Sequence, residues 1–268
     1  MAKLLYEVKD GIGWIRFNKP EILNAFDPDE VRRLVEVLNE ASSDDDVKAI
    51  IISSVGEAFC AGDDLKVAMA EFPLIQSGEI HPILDIVEDI TENLQEIPRV
   101  IRKSSKVVIA AVRGYAVGGG FEVAIDCDMI VAADNATFGF PESNAGMTIT
   151  GGASKLLPMI VGLNRARELV LTGEFIDADE GYRIGLVNKL VPLGEEEAEA
   201  ERLARVIMSR APLAVTHHKR MLQQSVEADM EGALNLEKQT INTLIYTEDY
   251  GEALKAFAEK RKPRFKGR

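Results

Sequence analysis

Residues Val107 to Asp128 read VVIAAVRGYAVGGGFEVAIDCD, and the fold turns on how that stretch is parsed. Val107 to Val112 is an unbroken apolar run, the pattern of a strand buried on both faces. Arg113-Gly114-Tyr115-Ala116-Val117 interrupts it as a turn, and Gly118, Gly119 and Gly120 follow. Phe121-Glu122-Val123-Ala124-Ile125 then has the spacing of a helix with a carboxylate in its first turn. Inside a helix each glycine costs about 1 kcal/mol relative to alanine. A glycine triplet suits a place where something approaches bare backbone, and a helix start offers unpaired N–H groups and partial positive charge. The stretch is therefore a strand, a turn and a helix start. Either it holds a negatively charged oxygen, or it is a tight strand-to-helix packing contact.

Working outward, the same strand-then-helix alternation recurs. Leu4 to Lys9 and Gly13 to Phe17 read as a hairpin about Asp10-Gly11. Val31, Leu34, Val35 and Leu38 keep helical spacing behind a capping Asp27 or Asp29, and Val47 to Ser53 is another buried strand. Small residues follow it, Ala58-Phe59-Cys60-Ala61-Gly62-Asp63-Asp64-Leu65-Lys66, at a strand's C-terminal end, where α/β proteins place ligands. Val67 to Lys106 is irregular at first, then a helix on Ile83, Val87, Ile90, Leu94 and Ile97. Beyond the central stretch come a strand at Met129 to Ala133 and the run Phe138-Gly139-Phe140-Pro141-Glu142. Helices at Lys155 to Val161 and Arg165 to Leu171 follow, then a last strand at Leu186 to Val191. From Glu195 the chain is helical. This βαβ pattern predicts an α/β fold with parallel strands, organised as a core over residues 1–194 and a helical region over 195–268.

Composition narrows the function. A net charge of −13 disfavours a general nucleic-acid or anionic-membrane binder. The N-terminus has no long apolar run, so neither a signal peptide nor an anchor is expected. Two cysteines, Cys60 and Cys127, cannot form a disulfide framework, and a reducing cytoplasm is the expected location. Three scattered histidines do not suggest a zinc site, and no metal is expected. His217 and His218, adjacent on a helix, do not share a face.

The chemistry concentrates in four places: backbone pockets around Cys60-Ala61-Gly62 and around Gly118-Gly119-Gly120, and carboxylates at Glu122 and Glu142. Paired backbone donors stabilise a developing oxyanion by several kcal/mol. Paired carboxylates divide acid and base roles when their surroundings separate their proton affinities. The glycines do not form the G-x-G-x-x-G fingerprint of a dinucleotide site.

These residues, in this order, resemble the crotonase or enoyl-CoA hydratase/isomerase superfamily. The likeness runs through Lys19-Pro20 with Leu23-Asn24-Ala25, the Ala58 to Leu65 loop, the central stretch, Pro141-Glu142, Leu171-Thr172-Gly173, Gly185-Leu186-Val187 and the tail FAEKRKPRFKGR. The resemblance implies a spiral of ββα units with a C-terminal helical region that builds a homotrimer or a dimer of trimers. It implies an acyl-CoA thioester as substrate, with coenzyme A part of the substrate and no separate cofactor. The thioester oxygen is expected between the backbone N–H groups of Cys60 and Gly119. Glu122 is expected to orient the attacking water and take its proton, and Glu142 to supply the proton to the α-carbon. Ala58, Ala61, Gly62, Asp63, Asp64, Leu65, Lys66 and Gly118 are expected to line the CoA and substrate site, with Arg261 and Lys262 meeting phosphates.

The expected activity is hydration of an enoyl-CoA, or its reversal. Double-bond isomerisation and dehydration of a specialised hydroxyacyl-CoA of the carnitinyl type are the nearest alternatives. A non-catalytic acyl-CoA binder is the alternative from another class. The loop after Glu142 departs from the proline- and glycine-rich pattern common in hydratases, with Thr148 and Thr150 in it. That departure, together with the length of Val67 to Lys106, leaves the acyl group open.

Overall fold

The computed structural model describes residues 2–64, 66 and 80–268, with the side chains of 80–86 left aside. Expectations that fall on Leu65 and on residues 67–79 lie outside the described residues.

Leu4–Lys9 (β1) and Ile12–Phe17 (β2) form the expected hairpin. Pro28–Ser43 (α1) begins at Asp27, whose side chain accepts from the amide of Glu30 and so satisfies one of the helix's unpaired N–H groups. Ala49–Ser54 (β3) follows. Ile80–Lys103 (α2) leads to Val107–Val112 (β4), and a short strand, Tyr115–Val117 (β5), precedes Gly119–Asp126 (α3). Met129–Ala133 (β6) and Thr137–Gly139 (β7) come next, then the helices Ala153–Val161 (α4) and Leu163–Thr172 (α5). Ile176–Asp177 (β8), Ala178–Arg183 (α6) and Lys189–Val191 (β9) end the strand-bearing part. Glu196–Met208 (α7), Pro212–Ser225 (α8), Met230–Leu244 (α9) and Glu248–Ala258 (α10) complete the chain.

The main sheet has the order β1-β2-β3-β4-β6-β9, parallel from β2 to β9. Its inner strands β2, β3, β4 and β6 are buried on both faces, and the alternation of side chains splits them between two cores. Ile50, Ile52, Val108, Ala110 and Val112 point into the larger core, with the apolar stripes of α1 and α2 and with α3. Ile51, Val107, Ile109, Ala111 and Val131 point the other way, onto Ala200 and Ala204 of α7. Each fully buried isoleucine contributes roughly 2–3 kcal/mol. The expected boundary after residue 194 does not coincide with a break in packing: α7 covers the second face of the sheet, and its buried Glu196 is ion-paired with Arg113.

The turn read between Val112 and the glycines contains β5, which pairs with β7, and β7 with β8, in a second sheet of order β5-β7-β8. A three-residue strand leaves too few alternating positions to be seen in sequence. This small sheet joins the Ala58 to Asp64 loop to the glycine triplet.

Candidate active site

Phe59 and Cys60 lie along β5 like one more strand. The Phe59 amide donates to Arg113 O, the Cys60 amide to Tyr115 O at 2.8 Å, and Cys60 O accepts from Val117 N at 2.9 Å. The Cys60 N–H is therefore spent, and the expectation that it serves as an oxyanion donor is corrected. In the same loop Ala61 N donates to Leu23 O, Gly62 N approaches the Cys60 sulfur, and Asp64 N donates to Phe26 O. Phe26 N in turn donates to Gly62 O. These two bonds flank Asp63 in a parallel bridge, so the Asp63 N–H points to the opposite side. From Phe59 to Asp64, Asp63 is the one residue whose amide has no acceptor among the described residues.

Around the glycine triplet two amides are used within the fold. Gly118 N is used by Gly139 O at 3.0 Å, and Glu122 N by Gly118 O. Gly119 opens α3, and its amide is among the N–H groups that a helix start leaves without a partner. The two loops meet closely. A β-carbon at Gly120 would lie 2.4 Å from Cys60 O, so glycine is what permits the approach. At Gly119 a β-carbon would meet nothing closer than Phe26 at 3.6 Å, with Asp63 Oδ1 at 3.7 Å and Leu94 at 3.8 Å. The Asp63 carboxyl and two apolar side chains thus surround the space over Gly119.

Glu122 sits in the first turn of α3 and is 2 % exposed. Its Oε1 accepts the amides of Thr150 and Gly151, both at 2.7 Å. Burial is the largest influence on its carboxyl and pushes it up. The two amides pull it down, and the charges of Glu142 and Asp63 push it up again, leaving it at about 7. Glu142 lies in the 3-10 turn Pro141–Ala145 and is half-buried. Its Oε2 has no hydrogen-bond partner among the described residues, and its Oε1 would lie 3.1 Å from a β-carbon at Gly118. Burial raises its carboxyl too, against a bond to its own amide, and Asp63 adds to the rise. The structure therefore brings Glu122, Glu142 and Asp63 together. Phe121 stacks on Phe140 at 4.5 Å and packs on Phe138 at 5.4 Å, locking the helix of Glu122 to the turn of Glu142.

The remaining expected residues divide. Ala58 O accepts from the side chain of Asn24, which also takes the Lys19 amide and donates to Val55 O, so Asn24 braces the loop from beneath. Asn24 adopts φ +57, a conformation asparagine tolerates better than most residues. Asp64 accepts the Lys66 amide, and Lys66 is exposed. Leu65 lies outside the described residues. The Arg261 guanidinium is held by Glu252 and Glu259, and Lys262 is exposed. Among the described residues no group of three or more His, Cys, Asp or Glu could hold a metal ion, and no helix is long and apolar enough to cross a membrane.

The family profile described as enoyl-CoA hydratase/isomerase matches residues 7–268. The chain belongs to the enoyl-CoA hydratase/isomerase family. It is 36% identical over 263 residues to a short-chain-enoyl-CoA hydratase from Clostridium acetobutylicum, covering 98% of this chain and 97% of that one. It is 33% identical over 263 residues to a crotonyl-CoA hydratase from Syntrophomonas wolfei, with the same coverage. Among solved structures, an enoyl-CoA hydratase from Bacillus anthracis superposes with a TM-score of 0.90 at 29% identity, covering 100% of both chains. This enoyl-CoA hydratase/isomerase family chain thus has the α/β fold its residues implied.

Proposed function

We propose that the protein adds water across the 2,3 double bond of an enoyl-CoA. The observation that carries the reading is the nearness of two amides without acceptors, Asp63 and Gly119, to two carboxyls of raised proton affinity, Glu122 and Glu142. The thioester oxygen accepts both amides, and the positive end of α3 adds to them as the enolate forms. Ionised Glu122, fixed by Thr150 and Gly151, takes a proton from water as the water oxygen bonds to C3. Protonated Glu142 gives its proton to C2 on the same face, a syn addition. Transfer of a proton from Glu122 back to Glu142 restores the starting state. The same steps run backwards in dehydration.

Isomerisation needs a single acid–base carboxyl. Two amides devoted to orienting Glu122 favour hydration. The names of the two curated relatives support a short acyl group. Residues 58–66 cradle the CoA end, with Lys66 and Lys262 rather than the paired Arg261 meeting its phosphates. A homotrimer or a dimer of trimers is supported by the apolar side chains that α8 to α10 leave exposed, and two buried free cysteines suit a reducing cytoplasm.

The test is a panel of short, long, branched and aromatic enoyl-CoAs, followed by the loss of the conjugated thioester absorbance. Turnover of crotonyl-CoA is expected. A protein that binds CoA thioesters yet turns over none of the panel would be a non-catalytic binder.

A further inference from the structure

Asp126 ends α3, one helical turn beyond Glu122, so both side chains leave the helix on the same side. It is 6 % exposed, and among the described residues neither of its carboxyl oxygens has a hydrogen-bond partner. A buried carboxylate without a partner costs far more than a buried carboxylic acid, and a group in this position calls for an explanation. The mechanism proposed above makes no use of it.

Its surroundings connect it to the general base. The loop that holds Glu122 through the amides of Thr150 and Gly151 continues at Gly152, and a β-carbon there would lie 3.8 Å from Asp126 Oδ1. Two successive glycines thus lie over two successive carboxyls of one helix face. Pro98 of α2 closes the same corner, 3.4 Å from that point. The charged groups that face Asp126 are few. Glu122 stands on its own helix, and Cys127 is next in the chain. Arg102 approaches from α2, but its guanidinium lies 3.6 Å from Glu227. Burial raises the Asp126 carboxyl first and the charge of Glu122 raises it further, while Arg102 acts weakly in the other direction.

We propose that Glu122 and Asp126 form a two-carboxyl unit that carries a single negative charge, ionised at Glu122 on the pocket side and protonated at Asp126 on the buried side. The two differ in what they are given. Glu122 has two amides and Asp126 has none, so the charge belongs to Glu122. Asp126 is a positioning residue, acting through Glu122 and touching no substrate. Its neutral form leaves Glu122 the only charge on that face. Its ionisation would set a second negative charge one turn behind Glu122. The catalytic consequence rests on the hydratase reading, whereas the shared charge does not.

The test reads the carboxyls directly, by carbon-13 NMR of the protein labelled at aspartate and glutamate side chains, titrated from pH 5 to 10. The Asp126 resonance, assigned by its loss in Asp126→Asn and, should that variant not fold, in Asp126→Leu, is expected at the position of a protonated acid at neutral pH. In Glu122→Gln it should ionise about one pH unit or more lower, because the neighbouring charge is gone. In Asp126→Asn the acid limb of kcat/KM for crotonyl-CoA should stay where the wild type has it, within about 0.3 pH unit, since one neutral side chain replaces another. An ionised Asp126 at pH 7, a titration indifferent to Glu122→Gln, or an acid limb displaced downward in Asp126→Asn would each overturn the unit. A protein that shows the NMR coupling but hydrates no enoyl-CoA would retain the unit and sink the hydratase reading instead.

Discussion

Gly151 closes over Glu122: its amide donates to Oε1 at 2.7 Å, and a β-carbon on it would lie 2.9 Å from Oε2. The contact fixes both the direction and the proton affinity of the carboxyl. Burial alone would drive the group neutral, and the amides of Gly151 and Thr150 keep it near 7. A base balanced near the working pH can both accept a proton and release it.

Gly151→Ala should therefore disable catalysis without unfolding the protein. The added methyl displaces the Glu122 carboxyl or pushes the loop away, and misplaced catalytic groups cost about 100-fold. The expected result is a fall of that size in kcat for crotonyl-CoA with KM within about threefold, since the thioester amides are untouched. A fully active Gly151→Ala would show that this contact does not position the base.

Glu122→Gln and Glu142→Gln should each lower kcat by about 100- to 10,000-fold, the range for removing a general acid or base. The wild-type rate should rise with pH through about 7, because Glu122 must be ionised to accept the proton of water. A flat profile from pH 5 to 8 would mean that neither carboxyl carries the proton.

Much of this was legible in the sequence, for identifiable reasons. Strands β3, β4 and β6 are largely apolar runs, and Glu122 stands two residues beyond Gly120. Cys60 was misplaced because the existence of β5 decides which loop amides are spent, and a three-residue strand leaves no periodic trace. Pairing with β5 consumes Cys60, and bridging to Phe26 leaves Asp63. Nothing in the sequence singles out Asp126. Its burial depends on Pro98 and Gly152, which come from distant segments.

Glu122 should also make stability fall as pH rises. Its carboxyl is at about 7 in the folded protein against 4.5 as the ordinary value, so the folded state keeps the proton that the unfolded chain has lost. The contribution is complete below pH 4.5 and is lost as pH passes through about 7. Glu122→Gln removes this dependence. Its Tm should match that of wild type at pH 4.5 and exceed it by a few degrees (~2–4 °C) at pH 8. Equal Tm values at pH 8 would mean that burial of Glu122 carries no such penalty.

The exposed apolar residues of the C-terminal helices should be subunit contacts. Tyr246 and Phe257 are each 87 % exposed, and Leu222, Val226 and Met230 lie bare nearby in sequence. Large apolar side chains left facing water in such number mark interfaces when they lie together. Sedimentation should give a trimer or a multiple of it, and Tyr246→Lys with Phe257→Lys should shift it to smaller species. A monomeric wild type would remove the assembly reading.

Cys60 provides the sharpest test of the donor assignment. Its amide is bound to Tyr115 and its side chain is fully buried against the glycine helix, where burial pushes the thiol far up. Neither group reaches substrate, so Cys60→Ala should keep kcat within about threefold, with any loss arising from a small cavity. Iodoacetamide should leave the native enzyme active, because a buried neutral thiol is a poor nucleophile. Asp63→Asn should retain the amide donor and change only the carboxyl, altering the pH profile through Glu122 and Glu142, both of which Asp63 pushes upward. Rapid loss of activity on alkylation of Cys60 in the folded protein would return Cys60 to the site and overturn the assignment of Asp63.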